Sequence, residues 1–464
     1  MTAGVVGARL ERWIRYRRGD TGRHARDLLR LEWAPPSEVA ADQRRRLSAL
    51  LTHAARHVPY YREVLSERGV LDERGRLDLG RFGQLPLLDK GMIRARFDDL
   101  VSDDLAGRRW SYCSSSGSTG EPLRLIEDER HSDWLRAMPI LCDSLIGRRV
   151  GERRLFLWGS WREVVAGRES RRMRLGRRLR REAWLNTFRM SPRHMAQYVQ
   201  TMNDFRPEHI TAYAESAVDL ARFIERTGRQ VHSPKTLATS AGTLEPSMRA
   251  LLERVFRCAV FNQYGSIEVG GIANECDRHE GLHVTMPGVI VEILRPDGTA
   301  AAPGELGEIV LTSLFDYALP RIRYRIGDVG SWAERACSCG RSWPLLASVA
   351  GRISSTFVTA DGILVAGEAI NWAFHLQDWI AQWQAVQETV DHVLVKIVPR
   401  TDIADPLARR RLGVEEIARS IRLALGEGCT VSFEFVDDIE PSPSGKRMFT
   451  LSKVPGGFSP GSDA

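Results

Sequence analysis

Nowhere does the 464-residue sequence hold the uninterrupted apolar run of about 18 residues that a bilayer-spanning helix needs, so no membrane span is expected. Its opening residues lack an apolar core followed by a small-residue cleavage site, which argues against a secretory signal and makes the cytoplasm the expected location. Lysine is nearly missing. Lys90, Lys235, Lys396, Lys446 and Lys453 are its only instances among 66 basic residues, so the net charge of +7 is an arginine excess. Such a bias follows coding composition more readily than it marks a nucleic-acid partner, and none is expected; a positive field also suits an anionic small substrate. Cysteine is sparse and odd in number, at seven, which excludes a disulfide-built scaffold. Internal repeats and long low-complexity segments are absent as well.

What the sequence does contain is an ordinary globular balance, 43% hydrophobic and 27% charged residues, over a length that suits two or three domains. Residues 1–100 read as helical, with apolar positions three and four apart through LSALLTHAARHVPYYREVL. Between 101 and 350, helical stretches alternate with short β-rich runs: RRLFLWGS, HITAYAE, TLATSAG, AVFNQYG, GVIVEIL and GEIVLTSL. That alternation predicts α/β layering, with functional residues on loops at strand ends. Residues 351–454 combine a TADGILV turn, two helical stretches (EAINWAFHL and VEEIARSIRLAL) and two strands (DHVLVKIVP and CTVSFEFV). They read as a small α+β unit, and 455–464 as a frayed tail. The expected class is therefore α/β: a large domain of layered mixed sheet and helices, then a small α+β domain. The block from Arg168 to Arg181 is the one strong charge run. With only Met173, Leu175 and Leu179 as an apolar stripe, it reads first as a solvated helix or loop, and second as a contact for an anionic cofactor, polymer or membrane surface.

The strongest local motif is CSSSGSTGEP, Cys113 to Pro122. Small hydroxyl residues interleaved with glycines let a loop wrap phosphates with backbone N–H and hydroxyl donors. No Gly-Lys-Ser/Thr follows, so it is not a Walker loop. Downstream, NQYGSIEVG (262–270) places an aromatic, a glycine turn and a carboxylate in close order. An aromatic face suits a base, and a hard cation requires oxygen ligands. LPRIRYRIGDVG (319–330), VAGRISS (349–355) and PSPSGKRMFT (441–450) follow in that order.

These five motifs, spread across about 330 residues, resemble those of the adenylate-forming (AMP-binding) superfamily of acyl–CoA synthetases, peptide-synthetase adenylation domains and luciferases. The resemblance implies that Ser115, Ser116, Gly117, Ser118, Thr119 and Gly120 cradle the ATP phosphates. It implies that Tyr264 stacks on adenine within Gln263, Tyr264, Gly265 and Ser266, with Ala241 and Gly242 also bordering the nucleotide, and that Glu268 holds Mg²⁺. Asp328 would accept from the ribose hydroxyls, Arg352 would contact ribose or phosphate, and Lys446 would be the catalytic lysine on a mobile small domain.

The opening AARHVPYYREVL and LPLLDKGMIR resemble phenylacetate–CoA ligases and related capsule-biosynthesis proteins, which extends the likeness over nearly the whole chain. Within that branch Cys276, His283, Cys337 and Cys339 look like a zinc site. The residues favour it on their own terms: ECDRHEGLH offers a thiolate and imidazoles, CSCGR two more thiolates, and Cys₃His is a closed structural zinc set. His279 competes with His283 for the fourth place. Two departures stand out. Ser354, followed by Ser355, occupies the hinge position usually held by an aspartate, and Gly242 stands where relatives often carry glutamate, beside the acyl pocket. Trp158 and Trp161 read as core, with an acyl-pocket lining as the second reading. The implied activity is ATP-dependent activation of a carboxylic acid, aryl or bulky, as its acyl-adenylate, then transfer to coenzyme A. Transfer to an amine is the alternative acceptor step, and a non-catalytic, zinc-braced scaffold for nucleic acid or polysaccharide machinery the alternative of another class.

Overall fold

The computed structural model describes residues 19–114, 123–158, 171–187, 190–352, 357–362, 364–365, 370, 372–374, 377, 379–400, 406–440 and 449–454. The chain opens with helices α1 (Thr21–Leu31), α2 (Pro36–His57) and α3 (Pro59–Glu67), the latter two starting on prolines whose missing N–H costs nothing in a first turn. Helix α1 has no side-chain cap of its own. Asp133, from α5 (Glu129–Leu145), supplies it by accepting from the Asp20 N–H at 2.9 Å and the Thr21 hydroxyl at 2.7 Å. Between them, Asp89 caps the short α4 (Lys90–Ala95) by accepting from the Met92 N–H, which fixes where Lys90 begins. Trp134 of α5 lies flat on Phe315, ring centroids 4.0 Å apart. One apolar core therefore joins these helices to sheet residues as far along as Leu346.

Strands β1 (Trp110–Ser114) and β2 (Arg124–Asp128) form an antiparallel hairpin whose last pair, Ser114 with Arg124, closes the ends of the Ser/Gly-rich loop. The main sheet begins with β3 (Arg154–Leu157). Helix α6 (Arg171–Leu179) leads to β4 (Glu182–Leu185), α7 (Pro192–Phe205) to β5 (His209–Tyr213), α8 (Ala214–Thr227) to β6 (Thr236–Ser240), and α9 (Pro246–Phe256) to β7 (Ala259–Ser266). All neighbouring pairs in the order β4-β3-β5-β6-β7 are parallel. Central strands HITAY and TLATS are buried at four of five positions, as strands covered on both faces must be, and α7, α8 and α9 supply their packing.

Beyond β7 the sheet turns antiparallel through β8 (Gly270–Glu275), β9 (Leu282–Val284), β10 (Val289–Leu294), β11 (Gly307–Ser313), β12 (Tyr324–Trp332) and β13 (Leu345–Arg352). The eleven described strands run β10-β11-β12-β13-β9-β8-β7-β6-β5-β3-β4. All six β-rich runs read between 101 and 350 are strands here, and the α/β class holds. The TADGILV turn joins β14 (Phe357–Val358) to β15 (Leu364–Val365). Beyond it, β16 (Ile380–Thr389), β17 (His392–Pro399), helix α10 (Pro406–Leu425), β18 (Thr430–Phe435) and β19 (Thr450–Ser452) build a four-stranded sheet with a core of its own. Of the expected EAINWAFHL helix, Trp372–Phe374 is described as one 3-10 turn, and Phe374 stacks on Trp383 at 3.7 Å. No described helix is long and apolar enough to cross a membrane.

Candidate functional site

Open α/β sheets take ligands outside the carboxyl ends of their parallel strands, where the strand order reverses. Here it reverses between β3 and β5: the chain leaves β3 for β4 on one side and β5 for β6 on the other. Trp158 follows β3 and Tyr213 ends β5, with ring centroids 4.1 Å apart and the indole bonded to the phenol. Burial, then the nearby Glu215 charge, pushes the Tyr213 phenol above its ordinary value, while the Trp158 bond pulls the other way. Glu215 comes from the first turn of α8 and faces Gly242, just past β6. A methyl group on Gly242 would stand 2.4 and 2.5 Å from the two Glu215 carboxylate oxygens. Glu215 therefore occupies the space that a side chain at position 242 would need. Ala241 before it is held at φ +62°, a left-handed conformation that costs an alanine about 1 kcal/mol and reverses the chain at the crevice rim.

The NQYGSIEVG motif, expected from its resemblance to hold the nucleotide, lies at the carboxyl end of β7. Gly265 has no room for a side chain, since a Cβ would meet the Gly270 carbonyl at 2.7 Å. The Ser266 hydroxyl accepts from the Val269 N–H at 3.1 Å and tightens the turn into β8. Glu268 is buried in that turn, 4% exposed, with the Lys90 ammonium 3.8 Å away. Across the sheet, the Tyr264 hydroxyl donates to Asp328 Oδ2 at 2.7 Å, and Asp328 of β12 stands in register with Arg352 of β13. The Gln263 amide nitrogen is buried without a hydrogen-bond partner among the described residues. At the mouth of the Ser/Gly loop, the Cys113 thiol is raised by burial and by the charges of Glu127, Asp316 and Glu268, against Arg321. Loop mouth and Glu268 thus share one electrostatic neighbourhood. Ser115, Ser116, Gly117, Ser118, Thr119 and Gly120, with Trp161, Ser354, Ser355 and Lys446, lie outside the described residues.

Three residues of this corner carry no assignment from the sequence: Lys90, Tyr213 and Glu215. Lys90 had a usable signal, being one of only five lysines. Tyr213 and Glu215 had none, because their place follows from the neighbouring ends of β5 and β6.

A second cluster forms where β8, β9 and the β12–β13 connection meet. One donor atom each of Cys276, His283, Cys337 and Cys339 lies within 4.8 Å of all the others. The Cys276 and Cys337 sulfurs are 3.6 Å apart, and Cys339 Sγ is 3.4 Å from His283 Nε2. A tetrahedral zinc with its usual bond lengths requires sulfur–sulfur edges of about 3.8 Å and sulfur–nitrogen edges of about 3.5 Å. The donor set and its spacing fit that ion. Burial and then Arg341 push the His283 imidazole down to about 4, leaving it neutral, the form that ligates. His279 falls outside the cluster: it is turned toward Glu275 and Arg249, at 3.3 and 3.2 Å. Glu280 holds the Cys-x-Cys turn by accepting from the Ser338 N–H and hydroxyl at 2.7 and 2.6 Å. From the same loop, Arg341 pairs with buried Glu32 at 2.7 Å, and the Trp343 indole donates to the Leu31 carbonyl at 3.0 Å. These bonds tie the cluster to the end of α1.

Residues 357–453 match the CapK C-terminal domain family. The chain is 20% identical over 417 residues to protein CapK of Staphylococcus aureus, covering 89% of each chain. It is 30% identical over 322 residues to the phenylacetate-coenzyme A ligase of Escherichia coli K12, covering 64% of this chain and 68% of that one. Its fold matches 2-hydroxyisobutyryl-CoA ligase, solved in the postadenylation state with 2-HIB-AMP, at a TM-score of 0.71 and 19% identity, over 92% of this chain and 91% of that one.

Proposed function

Because the chain belongs to the phenylacetate–coenzyme A ligase family of AMP-forming ligases, we propose that it joins an aryl or similarly bulky carboxylic acid to AMP and then passes the acyl group to coenzyme A. The observation that supports this reading best is the Tyr264–Asp328 bond, an aromatic face and a hydroxyl acceptor joined between β7 and β12, with the buried carboxylate of Glu268 in the turn that follows β7. The acid enters at the carboxyl ends of β3 and β5, where Trp158 and Tyr213 present an aromatic wall.

Adenine stacks on Tyr264, and Asp328 accepts from the ribose hydroxyls, with Arg352 beside it in register. The loop Ser115 to Gly120 wraps the β- and γ-phosphates. Glu268 would hold Mg²⁺, which supplies charge neutralisation at the phosphates when bound; its single buried carboxylate suits a hard cation. The substrate carboxylate oxygen attacks the α-phosphorus in line. A P–O bond forms to the acid as the bond to pyrophosphate breaks, and the leaving pair stays on pyrophosphate. Since both partners are anions, the barrier is set by positioning and neutralisation, and Lys446 bridges the attacking and α-phosphate oxygens as charge shifts. Once the small domain, 351–454, has turned, the coenzyme A sulfur attacks the acyl carbon of the mixed anhydride; a C–S bond forms as the acyl C–O bond breaks, AMP leaves with the electron pair, and the thiol proton passes to solvent. Cys276, His283, Cys337 and Cys339 would hold zinc, whose closed coordination braces the fold and leaves no place for substrate.

The test is pyrophosphate exchange into ATP across a panel of aryl and aliphatic acids, with Lys446→Ala as control. Exchange that depends on one acid and vanishes in the variant supports adenylation. Failure of every acid, with ATP binding also absent, overturns it in favour of a scaffold. Adding coenzyme A or an amine to the productive reaction then reads the acceptor directly.

A further inference from the structure

The arginine run has no part in this chemistry, and from Arg171 to Leu179 it folds as α6 at the edge of the sheet beside β4. Residues 171–181 contain seven arginines and no acidic residue. Arg177 lies over the Trp184 ring at 4.6 Å, and Trp184 stacks in turn on Phe156 at 4.2 Å. That contact fixes which side of the helix faces the protein. Leu175 and Leu179, one turn apart, are left 58% and 39% exposed. Beside them opens a groove of about 440 Å³ lined by Arg153, Arg177, Arg178, Arg181, Trp184 and Phe205. Arg153 Nε is buried there without a hydrogen-bond partner among the described residues. Glu182, the acid of the groove, is engaged by Arg180 at 2.9 Å.

Guanidinium groups alone would suit any polyanion. A nucleic acid would use the arginines and gain little from two bare leucines. The leucines are what a bilayer surface uses: they enter the acyl boundary while arginines reach the phosphates of the headgroups. The direction also suits it. Arg153 and Arg181 precede β3 and β4, so the groove lies at the amino ends of these strands, and the ligand crevice at their carboxyl ends. A surface held there leaves the crevice open.

We propose that α6, with the arginine groove behind it, docks this enzyme on a bilayer surface bearing anionic phospholipids. The inference is independent of which acid is activated.

Flotation of the full chain with vesicles tests it. Phosphatidylcholine vesicles are compared with vesicles containing phosphatidylglycerol, at low and high salt, for the unaltered protein, Leu175→Ser/Leu179→Ser and Arg178→Gln. The expected result is binding to anionic vesicles alone, weakened by salt. Loss of two inserted leucines should lower the partition about tenfold or more, and loss of one arginine about fivefold. ATP affinity serves as the folding control and should not change in either variant. No binding to anionic vesicles overturns the proposal. So does binding that ignores the leucines, or that a DNA duplex displaces while both leucine changes leave it intact, since either marks a general polyanion site.

Discussion

Replacing Tyr264 with phenylalanine isolates one bond at the nucleotide corner. The ring that would stack on adenine survives, while the hydroxyl held 2.7 Å from Asp328 Oδ2 is removed. Asp328 is only 7% exposed, so water replaces the lost donor poorly. A hydrogen bond to a charged acceptor contributes about 1.5–3 kcal/mol. Part of that falls on stability in the free protein. If about 1.4 kcal/mol is felt through a less ordered carboxylate, ATP affinity falls about tenfold. Tyr264→Ala should lose a further ~1–3 kcal/mol with the stacking face. The assay is calorimetric titration with ATP and Mg²⁺, which requires no knowledge of the acid. It is repeated with 2′-deoxy-ATP, because an Asp328 that accepts from the ribose makes the normal protein prefer ATP. Asp328→Asn should lose most of that preference, and Tyr264→Phe/Asp328→Asn should fall short of the sum of the single losses, since the two act as one unit. Unchanged affinity in Tyr264→Phe, or equal discrimination against the deoxynucleotide in Asp328→Asn, would refute the reasoning.

Other expectations concern different links of the same chain. Metal analysis should find about one zinc per chain in the purified protein and its loss in Cys276→Ser; since the Cys339 loop also holds Glu32 and Leu31, the thermal midpoint should fall by several degrees. Gly242→Ala forces its methyl against the Glu215 oxygens at 2.4 Å, so acid activation should fall, read by pyrophosphate exchange; Glu215→Ala in the same chain should restore it. Glu152 is pulled upward by burial, but Lys235, the Arg149 N–H and His209 bring it down to about 2 from an ordinary 4.5. A depressed carboxyl stabilises the fold above its unfolded value and loses that contribution as pH falls toward 2. Discounted for solvent screening, Glu152→Gln should cost about 1–2 kcal/mol at neutral pH and progressively less below pH 4.5, read by urea unfolding.

Much of the sheet was legible because its strands are short β-branched runs parted by amphipathic helices, as in HITAYAE and TLATSAG. Motif order alone made Tyr264, Glu268 and Asp328 legible as candidates. The bond between Tyr264 and Asp328 was not, since it joins strands 64 residues apart. The choice between His279 and His283 was likewise closed to spacing. Both are near Cys276, and only the pairing of β9 with β13, Leu345 opposite His283, brings one of them to the Cys337 turn. Gly242 read as a departure in substrate choice, but Glu215, which fills the space beside it, lies on α8, and a contact between the ends of two neighbouring strands leaves no local trace.

The change from parallel to antiparallel pairing at β7 has a consequence for how such a protein can diversify. Trp158, Tyr213, Glu215 and Gly242 all belong to crossovers on the parallel side. Glu268, Asp328 and Arg352 belong to hairpins on the antiparallel side. The two groups share β7 as a common seam but no loop. One group can therefore vary while the other is held constant, and on the proposed assignment a graft of the β3–β6 loops from a relative should change acid preference, read by pyrophosphate exchange, and leave the antiparallel hairpins unaltered.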